Sequence, residues 1–320
     1  MSGFRHVYGK GFFRQNQITF IKDKFTIGRY PKFNNFFDTR IYCKTISIEA
    51  CPALWKINRI IFFSLLPIRK KVAYDNLTLC FPEKEHKWKK NVIKDCYINL
   101  GIDMMEFLYL PKMNKEVISE LIKFNCHNLV QQSISESKGT FILSGHFSNW
   151  ELMAFAYAKY FNLSLKIIAK VQASKELNEK INKYRKMSGN QIIEIGYSLR
   201  AIYEELSKNG IFCFLIDQSA NPDYSVYIYF FGQRVATFSG PAKIALKKRP
   251  GLILAYGLRK TDYSYDINFE KIEYDDLTEY NDNNVTELTQ RIQTGFENVI
   301  RKNPAQWLWL HKRFKHTKNG

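Results

Sequence analysis

No C-x-x-C pair occurs among the six cysteines, which sit at 43, 51, 80, 96, 126 and 213, and none stands at metal-ligand spacing from a histidine. That argues against a zinc site and reads as reduced thiols in the cytosol. No basic stretch followed by an apolar one opens the sequence, so no secretory signal is expected. No G-x-S-x-G elbow is present, which disfavours a serine hydrolase of that kind. No apolar run approaches the roughly 18 residues of a membrane-spanning helix. The nearest is "INRIIFFSLLPIRKK" at 57–71, which ends its apolar part at Pro67. Flanked by Arg59, Arg69, Lys70 and Lys71, it reads either as an interfacial helix over 52–68 or as a buried helix of the core.

Acidic residues are also scarce at both ends. Residues 1–75 hold fourteen Lys/Arg against four Asp/Glu, a net of +10, and residues 300–320 hold six bases and no acid. The two ends thus carry 16 of the 18 excess positive charges. Charge so localised needs an anionic partner. No zinc-finger spacing, RNP-like aromatic run or helix-turn-helix accompanies it, so no nucleic-acid partner is expected. Apolar segments lie beside the basic ends, which suits anionic membrane lipid better.

What is present is ordinary for a folded protein: 320 residues, 45% hydrophobic and 24% charged, enough for a sizeable core. Residues 1–50 show no sustained period and read as a basic N-terminal extension of unknown structure; 51–320 form the main domain. Trp88, Val92, Ile93, Cys96, Tyr97 and Leu100 have helical spacing within 83–108. From 121 onward, strand-like runs at 121–125, 140–144, 165–169, 191–195, 211–216, 252–258 and 263–272 alternate with helical ones. The helices are expected at 127–137, 149–160, 174–187, 198–208, 239–247 and 284–301. This alternation predicts an α/β fold with a central mixed, mostly parallel sheet and helices on both faces, preceded by N-terminal helices.

The stretch "FILSGHFSNWELMAF", 141–155, carries the strongest chemical signal. His146 falls just past the carboxyl end of a strand, the edge where open α/β sheets bind ligands. Glu151 falls in the first turn of the next helix, where it can steady the imidazole or, within the S-x-x-E pattern from Ser148, close a capping box. Such a pair suits proton removal from a hydroxyl, the carboxylate fixing the imidazole tautomer. Ser144, two places before His146, leaves a serine nucleophile open. Backbone N–H groups around Gly145–Asn149 are candidate oxyanion donors. Asp217, at the end of the 211–216 strand, reaches the same edge and could orient a base or an acceptor hydroxyl, or form an Asx turn with Asn221-Pro222.

Four stretches in order resemble one family. "SGHFSNWEL" is similar to the H-x4-D/E motif of glycerolipid acyltransferases, in the G-H-F-G-N-W-E form of the bacterial lipid A biosynthesis late acyltransferases. "RKKVAYDNLTLCFPE" (69–83), "LIDQSANPDYSVYIYFFGQRVATFSGPAKIAL" (215–246) and "NPAQWLWLHKRFK" (303–315) are similar to that family's basic opening, its D-Q loop with F-F-G turn and T-x-x-G-P-A helix start, and its C-terminal P-x-Q-W-x-W-x-H-x-R-[FW]-K. The resemblance spans roughly residues 55–315. Ser148 stands where the family usually has glycine, and Lys170 where it often has arginine.

The resemblance implies a glycerolipid-acyltransferase-like fold and an O-acyltransferase. A fatty acyl thioester of acyl carrier protein, or of coenzyme A, would donate to a hydroxyl of a glycolipid such as a lipid A precursor. Phosphatidylinositol mannoside-like and amino-acid lipids are alternative acceptors. No cofactor beyond the thioester co-substrate and no metal are expected, and the enzyme would work at the cytoplasmic face of the bacterial inner membrane, peripheral or monotopic. His146 would be the base and Glu151 its partner. Asn149, Lys170, Arg185, Asp217, Gln218, Phe231, Gly232 and Thr237 are the expected substrate contacts. Among these, Lys170 and Arg185 would meet phosphate or carrier anions, and Phe231-Gly232 would line an acyl channel or pack the core. Thr237 competes with Ser239 for the cap of the 239 helix. Trp307, Trp309 and the basic run from His311 to Lys315 suit a membrane interface or a segment docked on the core.

Overall fold

The computed structural model describes residues 69–194 and 199–317. The basic extension and the 52–68 helix lie outside them, and so do Cys43 and Cys51.

Nine strands and nine α-helices are described. The strands are β1 (Ile122–Asn125), β2 (Thr140–Ser144), β3 (Leu165–Ala169), β4 (Gln191–Glu194), β5 (Ile211–Leu215), β6 (Val226–Phe230), β7 (Gln233–Thr237), β8 (Gly251–Arg259) and β9 (Tyr265–Lys271). The helices are α1 (Lys70–Cys80), α2 (His86–Tyr109), α3 (Lys115–Leu121), α4 (Asn128–Ser135), α5 (Trp150–Phe161), α6 (Lys175–Lys186), α7 (Leu199–Ser207), α8 (Gly240–Lys248) and α9 (Asp282–Lys302). The main sheet has the order β1-β9-β8-β2-β5-β3-β4. β8, β2, β5, β3 and β4 run parallel; β9 turns back antiparallel to β8 and takes β1 beside it in parallel. The expected mixed, mostly parallel sheet is the one found.

β2 shows why the core has two halves. Side chains alternate across a strand, so Phe141 and Leu143 point to one apolar cluster and Ile142 to the other. α1, α8, α9 and the C-terminal tryptophans cover the first face; α3, α4 and α5 cover the second. A strand hidden on both faces reads as an uninterrupted apolar run, which made β2 legible.

The β6–β7 hairpin was not expected. Phe230 pairs with Gln233, so the loop is the two residues Phe231-Gly232, with φ of 52° and 73°. Two left-handed residues make a turn whose twist matches the strands. Asparagine usually precedes such a glycine. Here Phe231 is held in that conformation by its surroundings: its N–H donates to Glu297 Oε2 at 2.6 Å, and its ring packs on Phe81, Trp309 and the Arg301 guanidinium. Gln290 of α9 binds Tyr229 through both backbone groups, pinning the hairpin to the helix.

Candidate active site at the carboxyl edge of the sheet

β2 and β5 are parallel neighbours, and Ser144 pairs with Leu215. Two residues beyond each strand end stand His146 and Asp217, which the register therefore brings side by side. Asp217 Oδ1 lies 2.8 Å from His146 Nδ1, and Oδ2 accepts from the His146 backbone N–H at 2.8 Å and from the Trp307 indole N–H at 2.8 Å. Burial works to raise the Asp217 pKa, but the His146 charge and these donors outweigh it and hold the carboxyl well below the usual carboxylate range. An ionised carboxylate only accepts, so in the neutral ring the proton sits on Nδ1 and the lone pair on Nε2. Gln218 Nε2 lies 3.3 Å from that Nε2.

Glu151 does not serve the imidazole. Its carboxylate is taken by Arg185 of α6, through Nε to Oε2 at 2.8 Å and Nη2 to Oε1. Burial alone would lower the Arg185 pKa, yet the Glu151 charge raises it. Glu151 also accepts from the Trp150 indole at 3.3 Å, and the Trp150 ring stands edge-on to the imidazole with centroids 4.9 Å apart. Its link to His146 thus runs through Trp150. Nor does it close a capping box. Ser148 has φ of 49°, a left-handed residue, and the cap is Asn149, whose Oδ1 accepts from Leu152 N–H at 3.0 Å.

Other expected contacts are also engaged elsewhere. Arg185 is paired with Glu151 through Nε and Nη2. Asn149 is buried, and its amide donates to Glu106 Oε2 at 2.8 Å. Phe231 and Gly232 form the hairpin turn. Thr237 is buried, its hydroxyl accepting from Arg313 at 2.7 Å, and Ser239 occupies the cap position of α8 without a side-chain cap bond. Asn221 caps its own short 3₁₀ turn by accepting from Asp223 N–H. Ser144 Oγ has no hydrogen-bond partner, so no serine–histidine pair is formed. Lys170, just past β3, is half-buried, and burial lowers its pKa. His146, Asp217 and Gln218 come together at the sheet edge, and the Glu151–Arg185 pair adjoins them through Trp150.

The C-terminal segment completes the site. Ser148 N–H donates to Gln306 O at 2.6 Å and Leu308 N–H to His146 O at 2.9 Å, with a bridge between Phe147 and Trp307. Trp307 and Trp309 are fully buried, and the Trp309 indole N–H donates to Pro304 O. The indoles dock on the core, so they do not sit at a membrane surface. Arg313 is buried as well, donating to Ala236 O. Gly145 is required by close approach: a Cβ there would come 2.1 Å from the Phe296 ring.

Behind Asn149 lies a buried ionic group. Arg259, the last residue of β8, binds Asp103 and Glu106 of α2; Glu106 also accepts from Tyr265 O–H at 2.6 Å. Burial, opposed by Arg259, pushes the Asp103 carboxyl up to about 6. Asp103 and His146 line a common small, open recess together with Ser148, Asn99, Trp150 and Ala305–Leu308. Among the described residues, no group of three or more His, Cys, Asp or Glu side chains is placed to hold a metal ion.

His311 supports the same edge, its Nε2 accepting from Ser219 N–H at 3.0 Å. Burial, opposed by Asp217 and aided by the His146 and Arg313 charges, depresses its pKa to about 3 from 6.5. The native ring is therefore neutral while the unfolded one gains a proton below pH 6.5, so stability falls as pH drops from about 6.5 toward 3. Between pH 7 and 5 this amounts to about 2 kcal/mol at 1.4 kcal/mol per unit. His311→Gln, compared with wild type by chemical denaturation at the two pH values, should lose that share of the acid sensitivity.

The family model described as bacterial lipid A biosynthesis acyltransferase matches residues 50–316. The lipid A biosynthesis palmitoleoyltransferase of Escherichia coli K12 is 23% identical over 249 residues, covering 77% of this chain and 79% of its own. The lipid A biosynthesis lauroyltransferase of the same organism is 22% identical over 258 residues, covering 79% and 81%. A lipid A biosynthesis acyltransferase of Shigella flexneri matches at 23% over 249 residues, with 77% and 79% covered.

Proposed function

Because the chain belongs to the bacterial lipid A biosynthesis acyltransferase family, and is on that ground an O-acyltransferase, we propose that it moves a fatty acyl group from a thioester to a hydroxyl of a lipid A precursor or related glycolipid. The observation that carries this reading is the His146–Asp217 pair at the mouth of the cleft. The donor is the thioester of acyl carrier protein or of coenzyme A. The acceptor hydroxyl takes the place of the Gln218 amide at Nε2. As its oxygen attacks the thioester carbonyl carbon, its proton passes to Nε2, and Asp217 stabilises the imidazolium. The carbonyl electron pair moves onto oxygen, then returns as the C–S bond breaks. The departing thiolate takes the proton from His146, leaving ester, free thiol and neutral imidazole. No acyl-enzyme is formed.

The reaction belongs at the cytoplasmic face of the bacterial inner membrane, where such acceptors are exposed. Among the described residues no helix is long and apolar enough to cross a bilayer, and the attachment proposed is peripheral or monotopic. Each basic residue near an anionic surface contributes about 1 kcal/mol, and the basic run at 1–75 supplies fourteen.

The test is thiol release. Purified protein, given acyl carrier protein thioester or acyl-coenzyme A with a lipid A precursor, should release thiol in step with an acylated lipid seen by mass spectrometry. His146→Ala should stop both. Release of thiol without acceptor, or a burst before turnover, would instead indicate a covalent acyl-enzyme and overturn the direct transfer.

A further inference from the structure

We propose that Ser148 is a catalytic residue of this acyl transfer, its hydroxyl donating to the thioester carbonyl oxygen in the cleft beside His146. The proposal rests on the acyltransferase reading above. Its grounds lie in how the His146 loop uses its hydrogen-bond donors.

Acyl transfer places negative charge on the carbonyl oxygen, and a preorganised donor must be waiting there. Backbone N–H groups usually fill that role. In this loop three of them are already spent: His146 N–H on Asp217 at 2.8 Å, Phe147 N–H on Gly145 O at 2.8 Å, and Ser148 N–H on Gln306 O at 2.6 Å. The Ser148 hydroxyl is not spent. The residue is 1% exposed and lines the same cleft as His146, and its hydroxyl has no hydrogen-bond partner. A buried hydroxyl left unmatched costs stability, and here it belongs to a residue lining the recess that His146 also lines.

The backbone strengthens the case. Ser148 has φ of 49°, a conformation that glycine adopts freely and a β-carbon resists. Glycine is also the residue that the resembling motif has at this position. Serine therefore carries two local disadvantages, a strained backbone and an unmatched hydroxyl. A hydrogen bond to substrate removes the second and gives the first a use. Asp103, which faces the same cleft, has its charge taken by Arg259. The hydroxyl gives up no proton in the reaction. It donates a hydrogen bond while the electron pair of the C=O bond sits on oxygen, and that bond weakens again once C–S cleavage restores the carbonyl.

Two variants separate the hydroxyl from the backbone. Ser148→Gly removes the hydroxyl and relieves the left-handed strain; Ser148→Ala removes the hydroxyl and keeps the strain. Steady-state thiol release with acyl carrier protein thioester and lipid A precursor should show kcat lowered about 10²-fold in both, with KM within about twofold of wild type. Melting curves should place Ser148→Gly above Ser148→Ala. Retention of kcat within about twofold in either variant overturns the proposal. So does a rise in KM alone, since the contact would then serve the ground state. If the wild-type protein itself releases no thiol under these conditions, the acyltransferase reading of the site fails and this proposal falls with it. An active wild type beside an equally active Ser148→Gly sinks the Ser148 role alone.

Discussion

Asp217→Asn is expected to lower kcat by about 10²–10⁴-fold, the whole of what a positioned general base contributes. The reason lies in what surrounds the carboxylate. Three donors converge on it: the His146 backbone N–H, its ring Nδ1–H and the Trp307 indole. An amide turns two hydrogens toward that set of donors, so at least one pair must face donor to donor. The imidazole then gains by protonating Nε2 and accepting at Nδ1, which hides the basic lone pair from the acceptor hydroxyl. Glu151→Gln keeps a hydrogen bond to Arg185 and leaves the imidazole tautomer alone, so its loss should be much smaller. Rates for the two variants, beside ¹⁵N spectra of the His146 ring, decide the matter. A larger loss from Glu151→Gln, with Asp217→Asn near wild type, would return the orienting role to Glu151.

The second large effect concerns stability. Arg259→Met should destabilise the fold by about 3–5 kcal/mol, because it leaves charge buried without its partner. Arg259 holds Asp103 and Glu106, and all three are buried. Removing the guanidinium sets two carboxylates against each other and also disturbs Asn149, which binds Glu106 and caps α5. Adding Asp103→Asn and Glu106→Gln to Arg259→Met should recover much of the loss, since neutral groups tolerate that interior. Denaturant midpoints of the single and triple variants measure both. Equal midpoints for Arg259→Met and wild type would show that the ionic group contributes nothing to stability.

These two sites differ in how far the sequence exposes them. His146 and Asp217 each close an apolar run of strand type, and both runs could be read directly, which put the pair on one sheet edge. That Asp217 could orient a base was legible as one alternative; its precedence over Glu151 was not, because it depends on β2 and β5 being neighbours and on a register that only folding sets. Glu151 misled through proximity in sequence. Its carboxylate is taken by Arg185, 34 positions on, a partner that sequence proximity does not reveal. The β6–β7 hairpin escaped because its turn starts with phenylalanine, and the contacts that permit this come from α9 and the chain's last segment. The ionic group joins α2 to β8 and β9 over more than 150 positions, and isolated charges in sequence read as solvated. The tryptophans at 307 and 309 suited a membrane surface as well as a core; the indole bonds to Asp217 and Pro304 decide for the core.

The pairing of residues 306–308 with the His146 loop has a consequence for when the protein becomes competent. Translation delivers Asp217, His146 and most of the sheet long before Trp307 leaves the ribosome. Until then the carboxylate lacks its indole donor, and the histidine loop lacks the strand that fixes Ser148. A chain whose residues 306–308 have not yet docked can thus hold a nearly finished sheet while its reaction centre stays unassembled.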